Sequence, residues 1–218
     1  MSRRPRMSAH TVTGAAIALL VCGCGGSGGS PAGDDNAAAG TGTAGSASVS
    51  PSVQAGTDRP QITLPSDVTD EYAGWRTGDA AKDAVLADVA ARIDSMNDAI
   101  LRGDTSAPGL SFYYRGKALS GAVAWIQAYL DAGLSFTGTT RYYAPKVTLA
   151  SGKTTATVLY CSDESKGFNK NRKTGKVDRT PSDQSPYVLY NTRVDKNDSG
   201  VWQTTALTSH RGDKACVG

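Results

Sequence analysis

The chain has 218 residues, of which 39% are hydrophobic and 20% charged, values that suit a globular protein with one domain or two small ones. A formal net charge of +3 argues against a wholly basic nucleic-acid binder. No apolar run reaches the ~20 residues that a membrane-spanning helix needs.

Arg3, Arg4 and Arg6 give a positive start, and an apolar run from Val12 to Val21 follows. That pairing predicts a secretory signal peptide over residues 1–23, not an anchor helix. Val21-Cys22-Gly23-Cys24 matches the order in which bacterial lipoprotein signals end, so Cys24 is the expected lipidation site. The expected location is therefore the outer face of the cell membrane, with plain secretion as the alternative. Residues 24–66 are mostly Gly, Ser, Ala, Thr and Pro, too poor in large apolar groups to offset ordering entropy. They read as a disordered tether with a root-mean-square span of roughly 35 Å.

Residues 67–218 read as a single α+β domain, helices first and antiparallel strands after. Thr69, Asp70 and Glu71 predict the opening of a short helix carrying Tyr72 and Trp75. Val85, Val89, Ile93, Met96 and Ile100 recur at helical spacing, and Gly103 ends that helix. Pro108-Gly109 predicts a turn, and Phe112-Tyr113-Tyr114 a short strand. Leu119, Val123, Ile126 and Leu130 mark a second helix over Lys117 to Ala132. Lys146–Ala150 and Thr154–Cys161 predict a hairpin about Ser151-Gly152-Lys153, with Ala156, Val158 and Tyr160 on one face and Thr157, Leu159 and Cys161 on the other. Tyr187–Val194 and Val201–Ser209 predict a second hairpin about Asn197-Asp198-Ser199-Gly200, and Tyr142-Tyr143 part of a further strand.

This order, with Phe112-Tyr113-Tyr114-Arg115-Gly116 leading into the second helix and two long hairpins behind it, resembles the nuclear-transport-factor-2-like, or ketosteroid-isomerase-like, cone. The resemblance implies a curved antiparallel sheet wrapped with helices about an interior. A cystatin-like or other α+β sheet domain is the alternative.

Cys161 and Cys216 remain once Cys22 and Cys24 are assigned to export, and in an oxidising compartment they are expected to form a disulfide. Candidate chemistry is thin. His210 is the only histidine of residues 67–218, metal-ligand spacings are absent from them, and Asp131, Asp163 and Asp195 sit at element ends. No catalytic residue, metal or cofactor is therefore assigned. Tyr113, Tyr114, Trp125 and Tyr160 are the candidate pocket residues. The 24 residues from Asp163 to Pro186 read as a long loop. Its centre holds Lys166, Lys170, Arg172, Lys173 and Lys176 without an acid, a candidate site for anions. Charge is also uneven: residues 67–104 carry nine acids against four bases, and residues 105–218 eight against fifteen. These features point to a membrane-tethered, non-catalytic module that binds a ligand or partner, an anionic envelope polymer or a protein, and not nucleic acid. The alternative is a small cone-fold enzyme, isomerase- or dehydratase-like, acting on a hydrophobic substrate. The oligomeric state is not legible.

Overall fold

The computed structural model describes residues 59–179 and 184–217. The signal peptide, Cys24 and nearly all of the expected tether lie outside the described residues.

The element order is β1 (Val68–Tyr72), α1 (Ala80–Arg102), α2 (Pro108–Tyr113), α3 (Lys117–Asp131), β2 (Leu134–Leu149), β3 (Thr155–Asn171), β4 (Val177–Asp178), β5 (Tyr187–Lys196) and β6 (Trp202–Arg211). The sheet runs β1-β2-β3-β5-β6, with β4 paired to β3. Only β1 lies parallel to its neighbour; the remaining pairings of the sheet are antiparallel. The α+β class and both hairpin turns agree with the sequence.

Helix α1 forms where the 4-4-3-4 apolar stripe predicts it. Asp79 caps its start by accepting from the Ala81 and Lys82 N–H groups, and Gly103 ends it in the left-handed region. Val85, Leu86, Val89 and Ile93 bury that stripe against Tyr142, Val158, Tyr160, Val194 and Trp202 of the sheet. The last turn, with Ile100, packs on Leu110, Tyr114, Ala122 and Ile126 from α2 and α3. The sheet bends at two register shifts in β2, Thr139/Arg141 and Tyr143/Lys146. At Gly138, where φ is 100°, a Cβ would collide with the Lys166 carbonyl, so only glycine lets β2 and β3 close there.

Three local expectations are corrected. The segment Thr69–Tyr72 is strand, not helix. Its burial alternates with period two, and pairing with Gly138–Tyr142 overrides the capping pattern of Thr69, Asp70 and Glu71. The segment 108–113 is helix, not turn and strand. Pro108 at the first turn presets φ, and the Tyr114 N–H donates to the Leu110 carbonyl at 2.8 Å. Only Tyr114 keeps strand character, through an isolated parallel bridge to Thr204. Finally, the cation-rich stretch is not a loop. Strand β3 continues to Asn171, because Leu134–Thr139 offers a complementary edge, and the chain turns back into β4.

Candidate functional site

The inner face of the sheet, the one the helices cover, has a filled half and an open half. In the filled half, Trp75 meets Tyr72 and Tyr160 edge to face, and Tyr72 stacks on Tyr142. Arg92, 3% exposed, reaches from α1 into this cluster. Its Nη2 donates to the Tyr160 hydroxyl at 2.7 Å and its Nη1 to Tyr114 at 3.4 Å, while its Nε has no partner. Burial opposes the guanidinium charge, but the surrounding tyrosine oxygens outweigh it and raise the Arg92 pKa.

Beside this cluster, between β1 and α1, lies a pair of acids. Asn97 donates to Asp70 at 2.6 Å, and the Tyr72 hydroxyl lies 2.6 Å from Asp94. Burial pushes the Asp70 carboxyl up to about 7, against the Asn97 hydrogen bond and with the help of neighbouring Asp94. Burial also raises Asp94.

The open half lies further along the same face. The alternation that sends Ala156, Val158, Tyr160 and Ser162 inward continues to Glu164. Its Oε2 accepts from Arg211 Nη2 at 2.6 Å, and its Oε1 from Ser162 at 3.2 Å and Tyr190 at 3.4 Å. Arg211 is held in turn by the Ser185 carbonyl at 3.0 Å. Both side chains remain partly open, at 27% for Glu164 and 45% for Arg211. Tyr190 stacks on Tyr160 at 4.9 Å and so joins the two halves. Tyr129 of α3 feels the charges of Glu164 and Arg211 after the dominant effect of burial, which raises its pKa. Its hydroxyl donates to Asn169 Oδ1 at 3.3 Å. One turn before it stands Trp125, 57% exposed, its ring 5.8 Å from that of Tyr129.

The residues singled out from the sequence are therefore dispersed. Tyr114 and Tyr160 belong to the filled half and plug it. Tyr113 is buried beside Phe112 and faces Arg59, which pairs with Asp88. Trp125 is largely exposed and stands beside Tyr129 at the edge of the open half. Cys161 and Cys216 are disulfide-bonded on the outer face, with Cα atoms 5.6 Å apart, and the Tyr143 hydroxyl donates to the Cys216 carbonyl.

The five cations do not form one patch. Lys170 pairs with Asp67 at 2.9 Å and Lys176 with Asp178 at 3.4 Å. Lys166 lines a shallow outer-face cleft with Glu71, Arg141 and Asp163. Arg172 turns inward and donates to the carbonyls of Ile100, Leu101 and Leu134, capping the end of α1. Lys173 stays exposed at the tip. Separate partners, and the turn that begins at Asn171, keep them apart. Among the described residues no His, Cys, Asp and Glu group has the makings of a metal site, and no helix is long and apolar enough to cross a membrane. His210 is exposed near the end of β6.

Glu164 and Arg211 were absent from the sequence candidates because the former fell inside the supposed loop. Two signals pointed to it: it continues the inward register of β3, and it is one of only two glutamates, the other being Glu71.

No family model matches the chain, and no curated protein matches it by sequence. Solved structures similar in chain path include a ketosteroid isomerase-like protein from Erwinia carotovora atroseptica, 17% identical over 60% of this chain and 95% of its own, with a TM-score of 0.38. The Kfla4162 protein from Kribbella flavida is 10% identical over 63% and 94%, with a TM-score of 0.42. The intermembrane space region of the chloroplast protein ARC6 is 13% identical over 63% and 99%, with a TM-score of 0.39. None is alike enough to transfer a function.

Proposed function

We propose that the protein is a membrane-tethered extracytoplasmic lipoprotein whose domain binds a ligand at the open half of its inner face without transforming it. The observation that carries this reading is the state of Glu164. Both carboxylate oxygens are engaged, one by Arg211 and one by Ser162 and Tyr190, so the group is held in a fixed position, as a binding contact requires. Around it stand half-buried tyrosines and an exposed indole, the mixture of a few fixed polar groups with aromatic surface that binding sites use. The filled half supports the same reading, because a substrate would have to displace Trp75, Tyr142 and Tyr160 to enter it.

The tether and anchor rest on residues 1–66 alone. Cys24 carries the lipid, and the chain beyond it lifts the domain off the membrane. An anionic envelope polymer or a protein is a second partner in this reading, met at the exposed hairpin tip around Lys173. The test uses the full chain in a bacterial host fed a clickable palmitate analogue. Wild type takes up label and sediments with membranes, and Cys24→Ala is unlabelled and released. A labelled Cys24→Ala protein, or an unlabelled membrane-free wild type, contradicts the anchor. For the ligand, a small-molecule extract of the envelope raises the melting temperature of wild type but not of Trp125→Ala, by mass action on the folded state.

A second reading is an isomerase- or dehydratase-like enzyme. Its specific support is the Asp70–Asp94 pair beside the Tyr72 hydroxyl, an acid–base constellation with one carboxyl near 7. Its position between β1 and α1, behind the Tyr72–Tyr142 stack, favours the binding module.

A further inference from the structure

We infer that the open half of the inner face recognises a saccharide, a neutral ring with one apolar face and a fringe of hydroxyl groups. The inference rests on the ligand-binding reading above and names its ligand class.

Charge comes first. Glu164 and Arg211 neutralise one another at 2.6 Å, and each has a further protein partner that holds it in place. An anionic ligand would have to compete with Glu164 for the guanidinium, and a cationic one with Arg211 for the carboxylate. Breaking a partly buried ion pair leaves a charge without its partner, so the site selects against both signs. A neutral ligand gains from the pair as it stands, because it offers an acceptor and a fork of donors side by side.

Polarity comes second. The Tyr190 hydroxyl donates to Glu164, and Tyr129, whose hydroxyl donates to Asn169, lies within electrostatic reach of both charged groups. A wholly apolar ligand would strip water from the partly open Glu164 and Arg211 and return no hydrogen bond, at a cost of ~1–3 kcal/mol for each polar atom whose water is not replaced. The ligand must therefore carry several hydroxyl-type donors and acceptors.

Shape comes third. Trp125 is 57% exposed, and the Tyr129 ring one turn on stands 5.8 Å from it. An exposed indole beside a tyrosine ring suits a flat apolar surface such as the axial C–H face of a pyranose, while its N–H is free to serve a hydroxyl at the edge. A neutral, hydroxyl-rich molecule with one such face is a sugar ring. Preorganisation adds to this, since Ser162 and Ser185 already fix the two charged groups and little side-chain entropy is lost on binding.

The test is an NMR titration of the full chain carrying Cys24→Ala and labelled at its tryptophan indoles, which gives separate signals for Trp75, Trp125 and Trp202. The probes are cello-, manno-, arabino- and N-acetylglucosamine trisaccharides at millimolar concentration, beside adenosine and anilinonaphthalene sulfonate. At least one trisaccharide is expected to move the Trp125 signal and leave Trp75 and Trp202 in place. Trp125→Ala should abolish binding of that sugar, followed by calorimetry, and Glu164→Gln should weaken it at least ~10-fold, as expected for loss of a ~1.4 kcal/mol contact. Unchanged Trp75 and Trp202 signals show that the variants are folded. If only adenosine or the naphthalene probe moves Trp125, the site binds a ligand and the saccharide class is overturned. If nothing moves Trp125, the saccharide assignment and the ligand-binding reading of this site both fall.

Discussion

The two halves of the inner face use the same materials to opposite ends. Each has tyrosines, an arginine and at least one carboxylate nearby. In the filled half Arg92 is sealed between the Tyr160 and Tyr114 hydroxyls, and Trp75 closes over the ring cluster. In the open half Arg211 and Glu164 are tied to each other but remain in reach of solvent, and Trp125 stands at the rim. Residue type alone does not make a site. What separates the halves is whether the apolar stripe of α1 lies over them: Val85, Val89 and Ile93 cover the first and not the second.

The sharpest way to break this comparison is to truncate one tryptophan from each half. Trp75→Ala removes a buried ring in contact with Tyr72, Tyr142 and Tyr160 and should cost ~3–5 kcal/mol of stability. Trp125→Ala should cost no more than about 0.5 kcal/mol, because the ring is largely exposed. Urea denaturation of the two variants gives both values, and similar losses would merge the two halves into one core.

A smaller effect is expected at Arg172, which joins the rim to the packed layer. Its guanidinium serves three carbonyls, from Ile100, Leu101 and Leu134. Arg172→Ala should cost ~1–3 kcal/mol through unsatisfied helix-end carbonyls. Lys173→Ser, one residue on and exposed, should be silent in the same denaturation experiment.

The filled half should also be the pH-sensitive one. Burial raises Asp70 to about 7 in the folded chain, above its ordinary value near 4 when unfolded. The folded state therefore binds the proton more tightly, and its stability falls as pH rises from about 4 to about 7. Asp70→Asn should flatten that part of the stability–pH profile. An unchanged slope would show that the pair with Asp94 does not titrate in this range.

The smallest effect on stability is expected at Glu164. Replacing its carboxylate by the isosteric amide in Glu164→Gln weakens a half-exposed ion pair, for less than about 1 kcal/mol. Its mark should fall on ligand binding, and a large stability loss would make it a structural residue after all.

Much of the fold was legible because it rests on periodicity. The stripe from Val85 to Ile100 fixed α1, Leu119 to Leu130 fixed α3, and the Ser151-Gly152-Lys153 and Asn197–Gly200 turns fixed the two hairpins. What failed was short or polar. Five residues such as Val68–Tyr72 hold less than two helical turns, too few to tell a capping pattern from an edge strand whose partner lies 70 residues on. The stretch after Asp163 shows no apolar alternation, since β3 leaves the core there and pairs in solvent. The site was hidden for the same reason: Glu164 stands just past the last buried residue of the strand. Arg92 could have been found, because it falls on the apolar stripe three residues after Val89, where a charge calls for an explanation. Its tyrosine partners, 22 and 68 residues away, could not.

The division into a sealed half and an open half is tested most directly by hydrogen exchange at the three indole N–H groups. The Nε1 of Trp75 is buried, whereas Trp125 is more than half exposed. The Trp125 indole should exchange within the dead time of mixing, and those of Trp75 and Trp202 only with global unfolding, tracking the stability measured in urea. Exchange of Trp75 as fast as that of Trp125 would mean that the inner face is one open cavity, and would contradict the account.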